Sequence, residues 1–185
     1  MPKSVDPESN AYGKQHKQCF KGTRLKTLSA IRQWVDDKDT SKRIFCLLDF
    51  AGSGKSTVAK TIAEEWGKRR LFARFFFSRD TAKTSSTNSF CLTVANGFAG
   101  LNPEFKKHIK RFRKRPDLDL LSFEEQFEGL IAAPLRALSQ DSILMIDALD
   151  ECDNEHKRRE ELLEILSRQQ SSLPHLRILV TGRPE

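Results

Sequence analysis

The sequence predicts an α/β domain in which helices cover both faces of a mostly parallel sheet, giving a three-layer sandwich. Three observations predict it. Short apolar runs of strand length, at Ile44 to Leu48, Arg70 to Ser78, Ile143 to Ile146 and Leu176 to Thr181, alternate with stretches of helical periodicity. The runs are continuous rather than alternating, as in strands buried on both faces of a parallel sheet. Between the first run and the helix after it lies a loop of small residues, which is where open parallel sheets bind ligands.

The elements follow in order. Residues 1–18 are polar, with Pro2, Pro7 and Gly13, and are expected to form a flexible leader, so that residues 19–185 carry the domain. From Thr23, a candidate N-cap, Leu25, Leu28, Ile31, Trp34 and Val35 share one face of a helix expected to pack beside the first strand. Val58, Ala59, Ile62, Ala63 and Trp66 give the same signal after the small-residue loop. Residues 79–89 are mostly Thr, Ser, Asn and Lys and are expected to form a loop. Helices are then expected near Asn88 to Phe98, from Pro103 into the basic run, and from Ser122 to Leu138. In the last, Ser122 and Glu125 form a capping-box pair, and Pro134 kinks or divides the helix. Asp153 to Gln170 reads as an amphipathic helix with Leu162, Leu163, Ile165 and Leu166 as its apolar stripe.

Composition narrows the function classes. At 185 residues the chain can bury one good core. It has no apolar run of bilayer-spanning length and no secretory signal, so a cytoplasmic, reducing location without a membrane span is expected. None of Cys19, Cys46, Cys91 and Cys152 forms a CxxC pair, which argues against a zinc or disulfide framework. The net charge of +7 arises wholly from Lys106 to Arg115, KKHIKRFRKR, since the other residues balance at 25 of each sign. This run is read as a solvated helix face with Phe105, Ile109 and Phe112 on its buried side, in preference to a nucleic-acid contact.

Two stretches carry chemistry. In Arg43 to Thr57, RIFCLLDFAGSGKST, Gly52 and Gly54 allow the backbone to turn successive N–H groups inward at the positive end of a helix. Backbone amides of Ala51, Gly52, Ser53, Gly54 and Lys55 would cradle phosphate, followed by Ser56 and Thr57 in the helix. Lys55 would neutralise the β- and γ-phosphates, and the Ser56 hydroxyl would ligate Mg²⁺. The GxxxxGKS/T signature starts at residue 49, where this chain has Asp49 instead of Gly. That carboxylate is expected to repel phosphate if it points inward and to strain the bend from strand to loop. In Ser142 to Glu151, SILMIDALDE, the strand ends at Asp147, placed to hold Mg²⁺, and Asp150 or Glu151 could orient or deprotonate a water. Arg183, after the final strand, could face a γ-phosphate. No NKxD element that would read guanine is present, which favours ATP/ADP.

Together these residues resemble the NACHT nucleoside-triphosphatase domain, in the form found in large fungal receptor-like proteins and in nephrocystin-type N-terminal regions. FAGSGKSTVAKTIAEEW is similar to its phosphate-loop segment, FFFSR to its second strand, ILMIDALDECD to its acidic motif and LPHLRILVTGRPE to its sensor strand, with CFKGTR and EQFEGLIAAPL as fainter matches. The resemblance implies a P-loop NTPase core of the additional-strand type. Its sensor strand would lie between the phosphate-loop strand and the acidic-motif strand. It also implies an ATP/ADP-dependent switch that self-associates or recruits protein partners through flanking domains. The sequence ends before the fifth strand and the helical and winged-helix subdomains that the resemblance implies. The rival readings are a non-catalytic interaction module on the same fold and a nucleic-acid binder using Lys106 to Arg115.

Overall fold

The computed structural model of the chain describes residues 17–37, 39, 41–67, 71–79, 87–152 and 158–184. The leader expected at 1–18 lies outside these up to residue 16, as do 80–86 of the expected loop and 153–157 of the last expected helix. Four strands, β1 (Ile44–Leu48), β2 (Leu71–Phe76), β3 (Ser142–Asp147) and β4 (Leu176–Gly182), form one sheet in the order β1-β4-β3-β2, and every pairing is parallel. The sensor strand β4 therefore lies between the phosphate-loop strand β1 and the acidic-motif strand β3, as the additional-strand fold requires.

Side-chain alternation along each strand divides the core in two. On one face, Leu144 and Ile146 of β3 and Ile178 and Val180 of β4 pack with Ala73 and Phe75 of β2. Helices α3 (Phe90–Leu101), α5 (Phe123–Phe127), α6 (Ala133–Leu138) and α7 (Arg158–Gln169) contribute to that layer, with Phe105, Ile109 and Leu130 to Ala132 between them in sequence. On the other face, Ile143, Met145, Leu179, Phe72 and Phe76 meet α1 (Leu25–Asp36) and α2 (Lys55–Trp66). Asp147 and Thr181 continue the Ile143–Met145 and Leu179 rows, so both belong to the face that α2 covers. Trp34 on α1 reaches β1, its ring 5.4 Å from that of Phe45, and its indole N–H donates to the Lys42 carbonyl at 2.7 Å.

Several local expectations are corrected. Leu25 is exposed instead of joining the buried face of α1, and Leu163 is exposed beside the buried stripe Leu162, Ile165 and Leu166. The cap of α1 is Arg24 in the left-handed conformation (φ 56°), because Thr23 spends its hydroxyl on the Phe20 carbonyl at 2.7 Å. Strand β1 is half-exposed, with Cys46 and Leu48 open to solvent, as befits its position at the sheet edge.

The helix expected from Ser122 to Leu138 opens with the capping box, Glu125 N–H to Ser122 Oγ at 3.2 Å and Ser122 N–H to Glu125 Oε2 at 2.8 Å. It is divided by a π-helical turn, Glu128–Ala132, that ends two residues before Pro134. The Ala133 N–H donates to Glu128, five residues back. This widened turn comes where proline would otherwise crowd the carbonyl four residues earlier, that of Leu130. Helix α4 (Pro103–Phe112), capped by the Asn102 side chain on the Glu104 and Phe105 amides, docks onto the same turn. A Cβ on Gly129 would lie 2.0 Å from the Phe112 ring, and His108 Nε2 lies 3.1 Å from the Gly129 carbonyl.

Gly129→Ala is accordingly expected to destabilise the fold by about 1–3 kcal/mol, the usual cost of overpacking. In a Phe112→Ala background the same change should cost much less. Thermal melts of the two single variants and the double variant check this, since contact between the two sites predicts a clear non-additive term.

Candidate functional site at the strand ends

The phosphate loop grows directly out of β1. After Leu48, the Asp49 N–H still reaches the Gly182 carbonyl at 3.3 Å, so the ladder to β4 runs one residue past the strand. The chain then turns through Gly52 (φ 75°) and Gly54 (φ 86°), a backbone region that costs an L-residue about 1–2 kcal/mol. Gly54 is the N-cap of α2, and the first amides of that helix lack intrahelical partners. Ala51 is exposed at the loop tip, whereas Ser53, Gly54, Lys55, Ser56 and Thr57 are half-buried.

Lys55 folds back across the loop, with Nζ 2.6 Å from the Asp49 carbonyl oxygen and 2.8 Å from that of Phe50. A second cation joins it. The Arg24 guanidinium donates to the Ser53 carbonyl and lies 3.6 Å from where a Cβ on Gly54 would be. Its segment is tied to α2 by a relay in which the Cys19 N–H donates to Thr61 Oγ1 at 3.0 Å and that hydroxyl donates to the Thr57 carbonyl at 2.8 Å.

Asp49 does not strain the loop: its φ is not positive, so glycine is not required there. Its Oδ1 accepts the Phe50 N–H at 2.8 Å. That bond chiefly holds the carboxyl below its ordinary pKa, with Ser53, Lys55 and Arg24 adding to the effect. The loop thus retains an anion at neutral pH beside its two cations.

Asp147 ends β3 fully buried on the α2 face, its carboxylate accepting the Thr181 hydroxyl, while Thr181 Oγ1 accepts the Ala148 N–H at 3.0 Å. Ala148 takes φ 55° and bends the chain into the short turn Leu149–Glu151. Burying a carboxylate costs several kcal/mol before its partners are counted, and a hydrophobic residue would fill this position more cheaply. A buried acid at the ligand-binding end of a parallel strand is thus the kind of group that function retains.

The turn after it is clamped from both neighbouring strands. Asp150, whose side chain is 9% exposed, pairs with Arg183 Nε at 3.0 Å. From the end of β2, the Arg79 guanidinium donates to the Asp150 carbonyl at 2.7 Å, and the Arg79 N–H approaches Glu151 Oε2 at 3.4 Å. Gly182 lies at the junction: a Cβ there would be 3.6 Å from Asp150 Oδ1 and 3.7 Å from Leu48 Cδ2. The start of the phosphate loop, the sensor strand and the acidic turn therefore meet within van der Waals reach. Arg183, expected to face a γ-phosphate, is half-exposed and paired with Asp150.

Arg24 and Arg79 are the residues that sequence reasoning left without a role. Their only sequence signals are the GTR and FSR triplets, and neither shows that the arginine returns to this site. The Ser56 hydroxyl and the Asp147 carboxylate, expected to hold Mg²⁺, are hard oxygen donors of the kind that ion takes.

Comparisons with known proteins agree with the fold. The sequence model of the family described as "Nephrocystin 3, N-terminal" matches residues 22–183. No curated protein matches the chain at the sequence level. Among solved structures, the chain is similar to the Walker-type ATPase PABY2304 of Pyrococcus abyssi (TM-score 0.56, 17% identity, covering 92% of this chain and 49% of that one). It is also similar to Cdc6p from Pyrobaculum aerophilum (TM-score 0.57, 14% identity, covering 97% and 43%). The chain thus spans less than half the length of each of these structures, and at such identities the likeness establishes the fold. With its sheet order, its phosphate loop and a family match across nearly the whole domain, the chain has a P-loop NTPase fold and belongs to the nephrocystin 3 N-terminal family.

Proposed function

We propose that this domain binds ATP and ADP and hydrolyses ATP weakly in the presence of Mg²⁺, as the nucleotide-dependent element of a NACHT-type signalling switch. The observation that carries this reading is the convergence at the strand ends. The loop braced by Lys55 and Arg24 leaves β1 at Asp49, whose N–H meets the Gly182 carbonyl, and Gly182 lies beside Asp150, while the buried Asp147 lies on the sheet face that α2 covers.

In this reading, amides of Ala51 to Lys55 receive phosphate oxygens, and Lys55 exchanges its two loop carbonyls for the β- and γ-phosphates. Ser56 and Asp147 hold Mg²⁺, which supplies charge neutralisation on the phosphate oxygens when bound. Thr181 keeps the Asp147 carboxylate oriented. Arg183 is engaged by Asp150 in the free domain, and a γ-phosphate competes for that guanidinium. Its capture would leave Asp150 or Glu151 available to accept a proton from the attacking water. ADP, lacking the γ-phosphate, leaves the Arg183–Asp150 pair in place, so the two nucleotides favour different states of one turn. The nucleotide preference for adenine and a role in recruiting protein partners or self-association belong to the same reading.

The test is a thermal melt of the chain with and without Mg²⁺-ATP and Mg²⁺-ADP, alongside Lys55→Ala. Ligand at about one hundred times its dissociation constant stabilises the folded state by roughly 2.7 kcal/mol. For a domain of this size that is a rise of roughly 5–10 °C. The shift should disappear in Lys55→Ala. A folded wild-type chain that shifts with neither nucleotide would instead favour the non-catalytic interaction module.

Asp49 offers a second check. Removing its charge while keeping the acceptor for the Phe50 amide, in Asp49→Asn, should tighten Mg²⁺-ATP binding by about fivefold, the order expected of one screened charge near phosphate. Titration calorimetry measures this. Weaker binding in the variant would show that the carboxylate helps to shape the loop.

A further inference from the structure

The basic run that holds the chain's excess positive charge begins on helix α4 and continues through Arg113, Lys114 and Arg115 just past its end, and the structure changes how that charge should be read. Basic runs usually occupy solvated segments whose side chains roam. Here the helix is fixed to the core at three places: the Asn102 cap, the Phe112 ring against Gly129, and His108 on the Gly129 carbonyl. Phe105 and Ile109 are buried, so the apolar face is consumed inside the domain.

The cations remain outside. Lys107 pairs with Glu104 and Arg115 with Asp117, each at 2.7 Å. Lys106, Lys110, Arg111, Arg113 and Lys114 are exposed and make no ion pair among the described residues. Lys106, Lys110 and Arg113 follow one another at i, i+4 and i+7 along one flank, at axial steps of about 6 and 4.5 Å. That is comparable to the step between neighbouring phosphates on a strand.

We propose that the solvent face of α4 docks the phosphate backbone of duplex nucleic acid without reading its sequence. A single strand is disfavoured because, among the described residues, no exposed aromatic ring accompanies these cations: Phe112 is half-buried under the Arg115 guanidinium, 5.3 Å from its ring centre, while the exposed Phe20 and Phe50 belong to the region of the phosphate loop. A bilayer is disfavoured because the apolar face of the helix itself, Phe105 and Ile109, is buried, which leaves only Leu101 and Leu120 exposed at its two ends. The surface is separate from the nucleotide site, since α4 packs on α3 and on the helix pieces around the π turn.

The test is fluorescence anisotropy of a labelled duplex of about 25 base pairs titrated with the full chain. Five phosphate contacts predict that raising salt from 50 to 200 mM weakens binding about 500-fold. The triple variant Lys106→Glu, Lys110→Glu and Arg113→Glu should lose more than tenfold in affinity at 50 mM salt while keeping the wild-type melting temperature. The triple variant Lys21→Glu, Lys26→Glu and Lys42→Glu, with equal charge reversal elsewhere, should bind as wild type. If the first variant fails to fold, the wild-type salt slope still decides. No binding at 50 mM salt, equal losses in both variants, or adhesion to phosphatidylserine vesicles with none to duplex would each overturn the proposal.

Discussion

Everything at the candidate site depends on the parallel pairing of β4 between β1 and β3. That register sets Leu48 opposite Gly182 and Ile146 opposite Val180, so strands far apart in sequence finish at a common edge. The alternation of side chains then decides which residues meet. Thr181 and Asp147 fall on the same face because both follow rows that pack against α1 and α2. A slip of one residue would turn Asp147, if in β3, or Thr181, if in β4, toward the opposite core, and would part the carboxylate from the hydroxyl that donates to it.

The site is not a set of free reactive groups. Lys55 is held by two loop carbonyls, Arg24 by a third, Arg183 by Asp150, and Glu151 by the Arg79 amide. Each contact keeps a charge satisfied at low cost near the surface, where such pairs contribute little to stability. Nucleotide binding on this account is an exchange of partners and needs little rearrangement of the sheet. The left-handed Arg24 fits the same picture. A non-glycine residue in that region costs of order 1–3 kcal/mol, and here it is the residue whose side chain joins the phosphate loop.

The sheet, and the position of the candidate residues at its strand ends, were legible in the sequence because their signals are local. Apolar runs mark strands, glycines mark the loop, and an acid at the end of an apolar run marks the ligand edge. The capping box at Ser122 was equally plain. What escaped depended on partners distant in the chain. Leu25 and Leu163 satisfy helical spacing, yet nothing packs over them, so spacing overstated the buried faces. Pro134 announced a break, but not that the break takes the form of a π turn, nor that Phe112, 17 residues away in sequence, packs against Gly129 within it. Arg24 and Arg79 reach the site through bonds spanning 29 and 71 residues, which no local pattern records. Asp49 looked disruptive because a motif was read as a string of types. Its backbone and its bond to Phe50 show a residue that the loop accommodates.

The central claim is that the buried Asp147 makes this edge a metal-assisted nucleotide site. Calorimetric titration of ADP with and without Mg²⁺, in the wild-type chain and in Asp147→Asn, tests it most directly, because asparagine keeps an acceptor for the Thr181 hydroxyl while removing the charge. The account predicts that Mg²⁺ tightens binding to the wild type and not to the variant, with both chains folded. An equal Mg²⁺ effect in the two proteins would contradict it.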